Sequence, residues 1–146
     1  MVEQKEIQKK LIRYQILESR ADALMKRREF LISRMLEIES TLNSMDEIKK
    51  SSGEDILLPI GSNVHVKGEL KNVDEMIVEL GANIAIESTV EKAKEILEKR
   101  RKILESGLAS LESEIVSLSD EIMKLQPEIR TILREAKKPS SDQTAG

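Results

Sequence analysis

From Ile7 to Ile48 apolar residues recur at steps of three and four: Ile7, Leu11, Tyr14, Leu17, Ala21 and Leu24, then Leu31, Met35, Ile38, Leu42 and Met45. This heptad spacing lays one apolar seam along a helix. Arg28 takes the seam position between Leu24 and Leu31, and no Gly or Pro occurs before Gly53. An uninterrupted helix over about residues 3–50 is predicted, roughly 60–70 Å long at the helical rise per residue.

The pattern returns from Val90 to Leu133, with Val90, Ala93, Leu97, Leu104, Leu108, Leu111, Ile115, Leu118, Ile122, Leu125, Ile129 and Ile132 in phase. A second helix over about residues 89–137 follows. Ser88 is the expected N-cap, with Glu91 three residues on completing a capping box, and Lys137 and Lys138 before Pro139 suit its end. Pro127 lies off the seam and predicts a local kink or a weakened last turn rather than a stop.

Between the helices the period drops to two. Asp55 to Leu58, Asn63 to Glu69, Glu75 to Leu80 and Asn83 to Glu87 read as four short strands. Pro59 to Ser62 and Gly81 to Asn83 are the expected hairpin turns, and Leu70 to Asp74 the link. The expected fold is therefore mainly α with a small β insert: a long antiparallel coiled-coil hairpin with two β-hairpins at its base and both chain ends at its far tip. Short two-stranded units are marginal alone and their open edges invite partners. The insert should oligomerise through Ile56, Leu58, Val64, Val66, Met76, Val78, Leu80, Ile84 and Ile86. One domain is expected over residues 1–138, with hairpins at about 55–87, and residues 139–146 have nothing to bury and should be disordered.

Composition sharpens this picture. The chain has one Phe, one Tyr and no Trp against 35% charged residues, too little bulk for a thick core but enough aliphatic side chains for a thin seam. A net charge of −3 gives no field for a polyanion, so nucleic acid is not an expected partner. No apolar run has the length of a membrane span and the N-terminus is polar, which reads as a cytoplasmic protein without a membrane role. There is no Cys, and His65 is the sole His, so thiolate metal sites and nucleophile–base pairs lack their parts. Neither GxGxxG nor GxxxxGK[ST] occurs, and the basic clusters at Lys26 to Arg28 and Lys99 to Lys102 are diluted by Glu. No enzyme and no cofactor is expected. With the helices paired about the insert, Arg28 should face the region of Ser110 and Glu112, and Arg100 that of Glu37.

Within the insert, Leu58-Pro59-Ile60-Gly61, Val64-His65-Val66-Lys67, the run Asp74 to Gly81 and Ala85-Ile86-Glu87 come in order, followed by the capped helix. Together with the sequence helix, two hairpins, helix, these segments resemble the archaeal-type prefoldin alpha class; two hairpins rather than one set it apart from the beta class. The resemblance implies assembly of two alpha with four beta subunits through the hairpins, six coiled coils hanging from paired β-barrels, ATP-independent capture of unfolded proteins at the tips, and delivery to a group II chaperonin. In this chain the tip comprises the first turns of helix one and the last of helix two, so Val2, Ile7, Leu11, Ile129, Ile132 and Leu133 are the candidate client contacts. A non-chaperone coiled-coil adaptor that oligomerises through its insert is the alternative. A nucleotide-exchange co-chaperone would carry its β part at a terminus, which the segment order opposes.

Overall fold

A computed structural model of the chain describes residues 2–137, the side chain of Val2 excepted. The tail at 139–146 and Lys138 lie outside the described residues. The elements run α1 (Val2–Lys50), β1 (Asp55–Gly61), β2 (Val64–Glu69), β3 (Glu75–Gly81), β4 (Ile84–Thr89) and α2 (Val90–Lys137). The fold class is the one the two periods predict: two long helices, and between them in sequence two small antiparallel hairpins. Pro127 is accommodated inside α2, which runs on to Lys137.

Two compact units are present, one of residues up to Leu31 and from Gly107 onward, the other of Ile32–Ser106. In the first, Leu17, Leu118, Leu125 and Ile129 form a buried cluster, against which Tyr14, Ala21, Leu24 and Ile122 pack. All eight are heptad positions, so the seam is the core. Cross-helix polar contacts flank it: Lys10 to Glu128 at 3.2 Å, Arg13 to Glu121 at 3.4 Å, Arg20 to Glu114 at 2.6 Å and Arg28 to Glu112 at 3.3 Å. Partner numbers fall on α2 as they rise on α1, which makes the pairing antiparallel. Gln126 donates to the Tyr14 hydroxyl at 3.1 Å, which in turn donates to Glu18 at 3.4 Å. Exposed pairs of this kind are each worth about 0–1 kcal/mol and select the register more than they stabilise it.

In the second unit the buried cluster is Met45, Val78, Ala93 and Leu97, with Ile38, Leu42, Met76, Ile86 and Ile96 packed against it. Here the seam of both helices meets one face of the β3–β4 hairpin. Each hairpin closes through a two-residue loop whose residues both have positive φ, Ser62 and Asn63 in one and Ala82 and Asn83 in the other. That is the backbone whose twist matches paired strands. A glycine at positive φ precedes each loop, Gly61 and Gly81, and the register shifts by one residue just before it in both hairpins.

The expected turn at Pro59 to Ser62 is thus corrected: Pro59 and Ile60 belong to β1, Pro59 standing opposite His65. A two-stranded sheet leaves every strand one open edge, and Pro, lacking an N–H, is tolerated there. The helix cap also moves by one residue. Thr89 Oγ1 accepts from the Lys92 backbone N–H at 3.2 Å, whereas Ser88 donates to the Thr89 carbonyl. Thr89 is therefore the N-cap, and with Lys92 at the third helical position no capping box forms. Thr89→Ala is expected to cost about 1 kcal/mol in urea denaturation and Thr89→Ser almost nothing.

Candidate interaction surface

The hairpins use their apolar faces differently. In β3–β4, Val78 stands opposite Ile86 and is only 8% exposed, seated among Met45, Ala93 and Leu97. Met76 and Ile86 pack against the same cluster. These three expected oligomerisation residues pack against the chain's own helices, so within the single chain the alternation marks the side that faces them. Leu80 and Ile84, at the loop end, stay exposed, and on the opposite face Ile77 is 73% exposed.

In β1–β2, Leu58 stands opposite Val66, and Leu58, Ile60, Val64 and Val66 are all exposed, with Ile56 half-buried. Leu58 leans over Gly68, where an added Cβ would come within 3.2 Å of its Cδ1. Leu57 is exposed on the other face. The two hairpins form separate two-stranded sheets. A bond from Gly53 N–H to the Leu70 carbonyl at 3.3 Å ties the start of the insert to the end of β2, and Asn72 Oδ1 accepts from the Asp74 N–H at 3.0 Å in the link. β1–β2 is thus a thin, open-edged sheet carrying exposed apolar side chains. Sequence reasoning missed Ile60 and Leu57; the repeated Gly-X-Asn before a β-branched residue, at Gly61 and again at Gly81, is the signal that would have carried β1 through to the loop.

Of the candidate client contacts, Ile7 and Ile132 are half-buried, and Leu11 and Leu133 are 39% and 41% exposed. Ile129 is 9% exposed and belongs to the buried cluster of the first unit. Nothing is described of the Val2 side chain.

Electrostatics concentrates at the junction of helices and insert. Asp46 is held below its ordinary value first by a hydrogen bond from Lys94 and then by that ammonium's charge. Glu91 is lowered by its own backbone N–H and then by Lys49, which donates to it at 3.1 Å. Arg28 meets Glu112 as its seam position predicts. Arg100 does not reach Glu37: its Nη2 donates to the Glu79 carbonyl of β3 at 2.7 Å, and Glu37 pairs with Arg34 on its own helix at 3.1 Å. The expected pairing treated α1 as the neighbour of Arg100, but β3 supplies an acceptor there.

Because both carboxyls are depressed in the folded chain, their contribution is complete above the ordinary carboxylate range and is lost as pH falls through it and below. The melting midpoint is therefore expected to drop as pH is taken from neutral toward about 3, and Lys94→Met should make that drop shallower by removing the partner of Asp46. An equally steep profile in the variant would count against this origin.

Among the described residues no group of His, Cys, Asp or Glu is arranged to hold a metal ion, and no helix is long and apolar enough to cross a membrane.

Two long helices joined through tandem hairpins are what comparison with known proteins recovers. Residues 17–135 match the family model described as Prefoldin subunit, and the chain belongs to the prefoldin family. Within that family the resemblance is to alpha subunits. It is 28% identical over 82 residues to Prefoldin subunit alpha of Methanobrevibacter smithii, covering 56% of each chain. It is 30% identical over 95 residues to Prefoldin subunit alpha of Pyrococcus horikoshii, covering 64% of each. The chain thus spans less than two thirds of the length of these relatives. In fold it is similar to a chain of the filamentous PFD from Methanocaldococcus jannaschii, with a TM-score of 0.69 at 24% identity, covering 79% of this chain and 96% of that one.

Proposed function

We propose that the chain is a chaperone subunit that binds non-native polypeptides in the cytoplasm without nucleotide and keeps them from aggregating. It assembles through its hairpins with beta-class subunits, two alpha with four beta, and passes clients to a group II chaperonin. The observation that carries the reading is the β1–β2 hairpin: Leu58, Ile60, Val64 and Val66 are exposed on a two-stranded sheet with open edges, a surface that a partner strand would complete. Membership of the prefoldin family supplies the class of activity. Several weak, sequence-tolerant contacts held in one assembly gain by effective concentration what a single chain lacks, which is how capture proceeds without an energy source.

The test is light scattering of an aggregating, heat-denatured protein in the presence of this chain and a beta-class partner, with the mass of the mixture measured in parallel. The expected result is suppression at substoichiometric assembly and a mass of two copies of this chain with four of the partner. Assembly without suppression at any ratio would leave a structural adaptor and overturn the chaperone reading.

A further inference from the structure

Within the first unit, α1 carries a second apolar line that the seam does not use. Ile12 and Ile16 are 57% and 61% exposed, and with Gln15, Ser19, Arg20 and Ala23 they line a shallow open groove. At about 100° per residue, positions 12, 16, 19 and 23 fall in one narrow stripe turned away from Tyr14, Leu17, Ala21 and Leu24, which pack in the core. Two bulky side chains followed by two small ones account for the groove. Neither isoleucine belongs to the buried cluster, so burial within the chain does not explain their being apolar. Clustered exposed apolar side chains rimmed by polar ones mark interaction sites, where scattered single ones do not.

The same face is basic. Lys5 and Lys9 precede the stripe and Lys26 and Arg27 follow it, all four on its side of the helix, whereas Glu6, Glu18, Asp22 and Glu29 fall about 90° or more away. None of these four cations has an ion-pair partner among the described residues, while Arg13 and Arg20, nearer the seam, are engaged by Glu121 and Glu114. We propose that this face of α1 docks an apolar, acidic segment of a non-native polypeptide, its apolar side chains lying on Ile12 and Ile16 and its carboxylates meeting Lys9, Lys26 and Arg27. The proposal deepens the capture reading above and rests on it; it moves the client contact from the terminal turns to the outer face of the helix. A second copy of this chain is a poor occupant, because Glu112, Glu114, Glu121 and Glu128 on its α2 are already paired with the arginines and lysine of its own α1.

The experiment uses the full chain assembled with its beta-class partner and two labelled probes that cannot refold: reduced and alkylated α-lactalbumin, which is acidic, and identically treated lysozyme, which is basic and of similar length. Fluorescence anisotropy should show the acidic probe bound more tightly. Ile12→Ser with Ile16→Ser should weaken that binding about tenfold, with helicity and melting midpoint unchanged because neither side chain is in the core. Lys26→Glu with Arg27→Glu should weaken binding of the acidic probe and strengthen that of the basic one. Wild-type binding that the isoleucine pair leaves intact overturns the stripe alone, and a preference for the basic probe overturns the charge assignment. If the wild type binds neither probe, the capture reading itself fails. A lower mass by light scattering for the isoleucine variant assigns the face to a second copy and also overturns the proposal.

Discussion

Leu97→Ala is expected to lower stability by about 2–4 kcal/mol, read as a shift of the urea midpoint, and to release the β3–β4 hairpin from its helices. Leu97 is buried in the cluster where Met45, Ala93 and Val78 meet, so one side chain contacts both helices' seams and the sheet. Truncation removes apolar contact and leaves a cavity. Ala93 is fully buried beside it and Val90 nearly so, at the point where β4 runs directly into α2. A rigid strand-to-helix join cannot move far to fill the gap, which places the cost in the middle of the range for such substitutions. The same truncation at the exposed Ile103 should shift the midpoint by no more than about 0.5 kcal/mol. Hydrogen exchange at the β3 and β4 amides distinguishes local release from global loss: protection should fall there beyond the change in the helix amides of the first unit. Equal loss everywhere would refute a hairpin seated chiefly by this cluster.

The second large effect concerns assembly and leaves the single chain almost untouched. Leu58→Ser with Val66→Ser removes a directly opposed pair from the exposed face of β1–β2. Each side chain is about half exposed in the isolated chain, so burying the remainder against a partner strand contributes roughly 1–1.5 kcal/mol apiece. Losing both should weaken association with a beta-class partner about a hundredfold. The helical melting midpoint should hold, because neither residue belongs to a buried cluster. The parallel pair Met76→Ser with Ile86→Ser should behave in the opposite way, lowering the midpoint since both pack against the buried cluster. If the Leu58 and Val66 variant assembles like the wild type, the interface lies on other residues, and exposed Leu57 and Ile77 become the next to test.

Both expectations depend on a distinction that strand periodicity cannot draw. Alternation in Met76, Val78 and Leu80 and in Val64 and Val66 shows that each strand has an apolar side. It is the same signal whether that side meets the chain's own helices, as at Val78, or stays exposed, as at Val66. The tip residues illustrate a related limit. Ile129 and Leu133 sit four residues apart near the end of α2, yet one is core and the other is 41% exposed, because only the heptad position faces α1. Arg100 shows it again: helix pairing alone points to Glu37, while the nearest acceptor is a strand carbonyl.

What the sequence determined by itself is what local periodicity encodes. Heptad spacing, unbroken in α1 and carried through Gly107 and Pro127 in α2, specifies a long helix and names its buried side, so Leu17, Leu97, Leu111, Leu118 and Leu125 are legible as core before any neighbour is known. Period-two runs and turn residues specify two hairpins, although the caps and loops shift by a residue or more, to Thr89 and to Ser62 and Asn63, where one hydrogen bond or one positive φ decides between adjacent residues. Only the tertiary structure decided which hairpin is seated on the helices, which is left open, and which outward residues of α1 gather into a groove. Those outcomes depend on contacts between segments far apart in the chain, and no repeat within a segment carries that information.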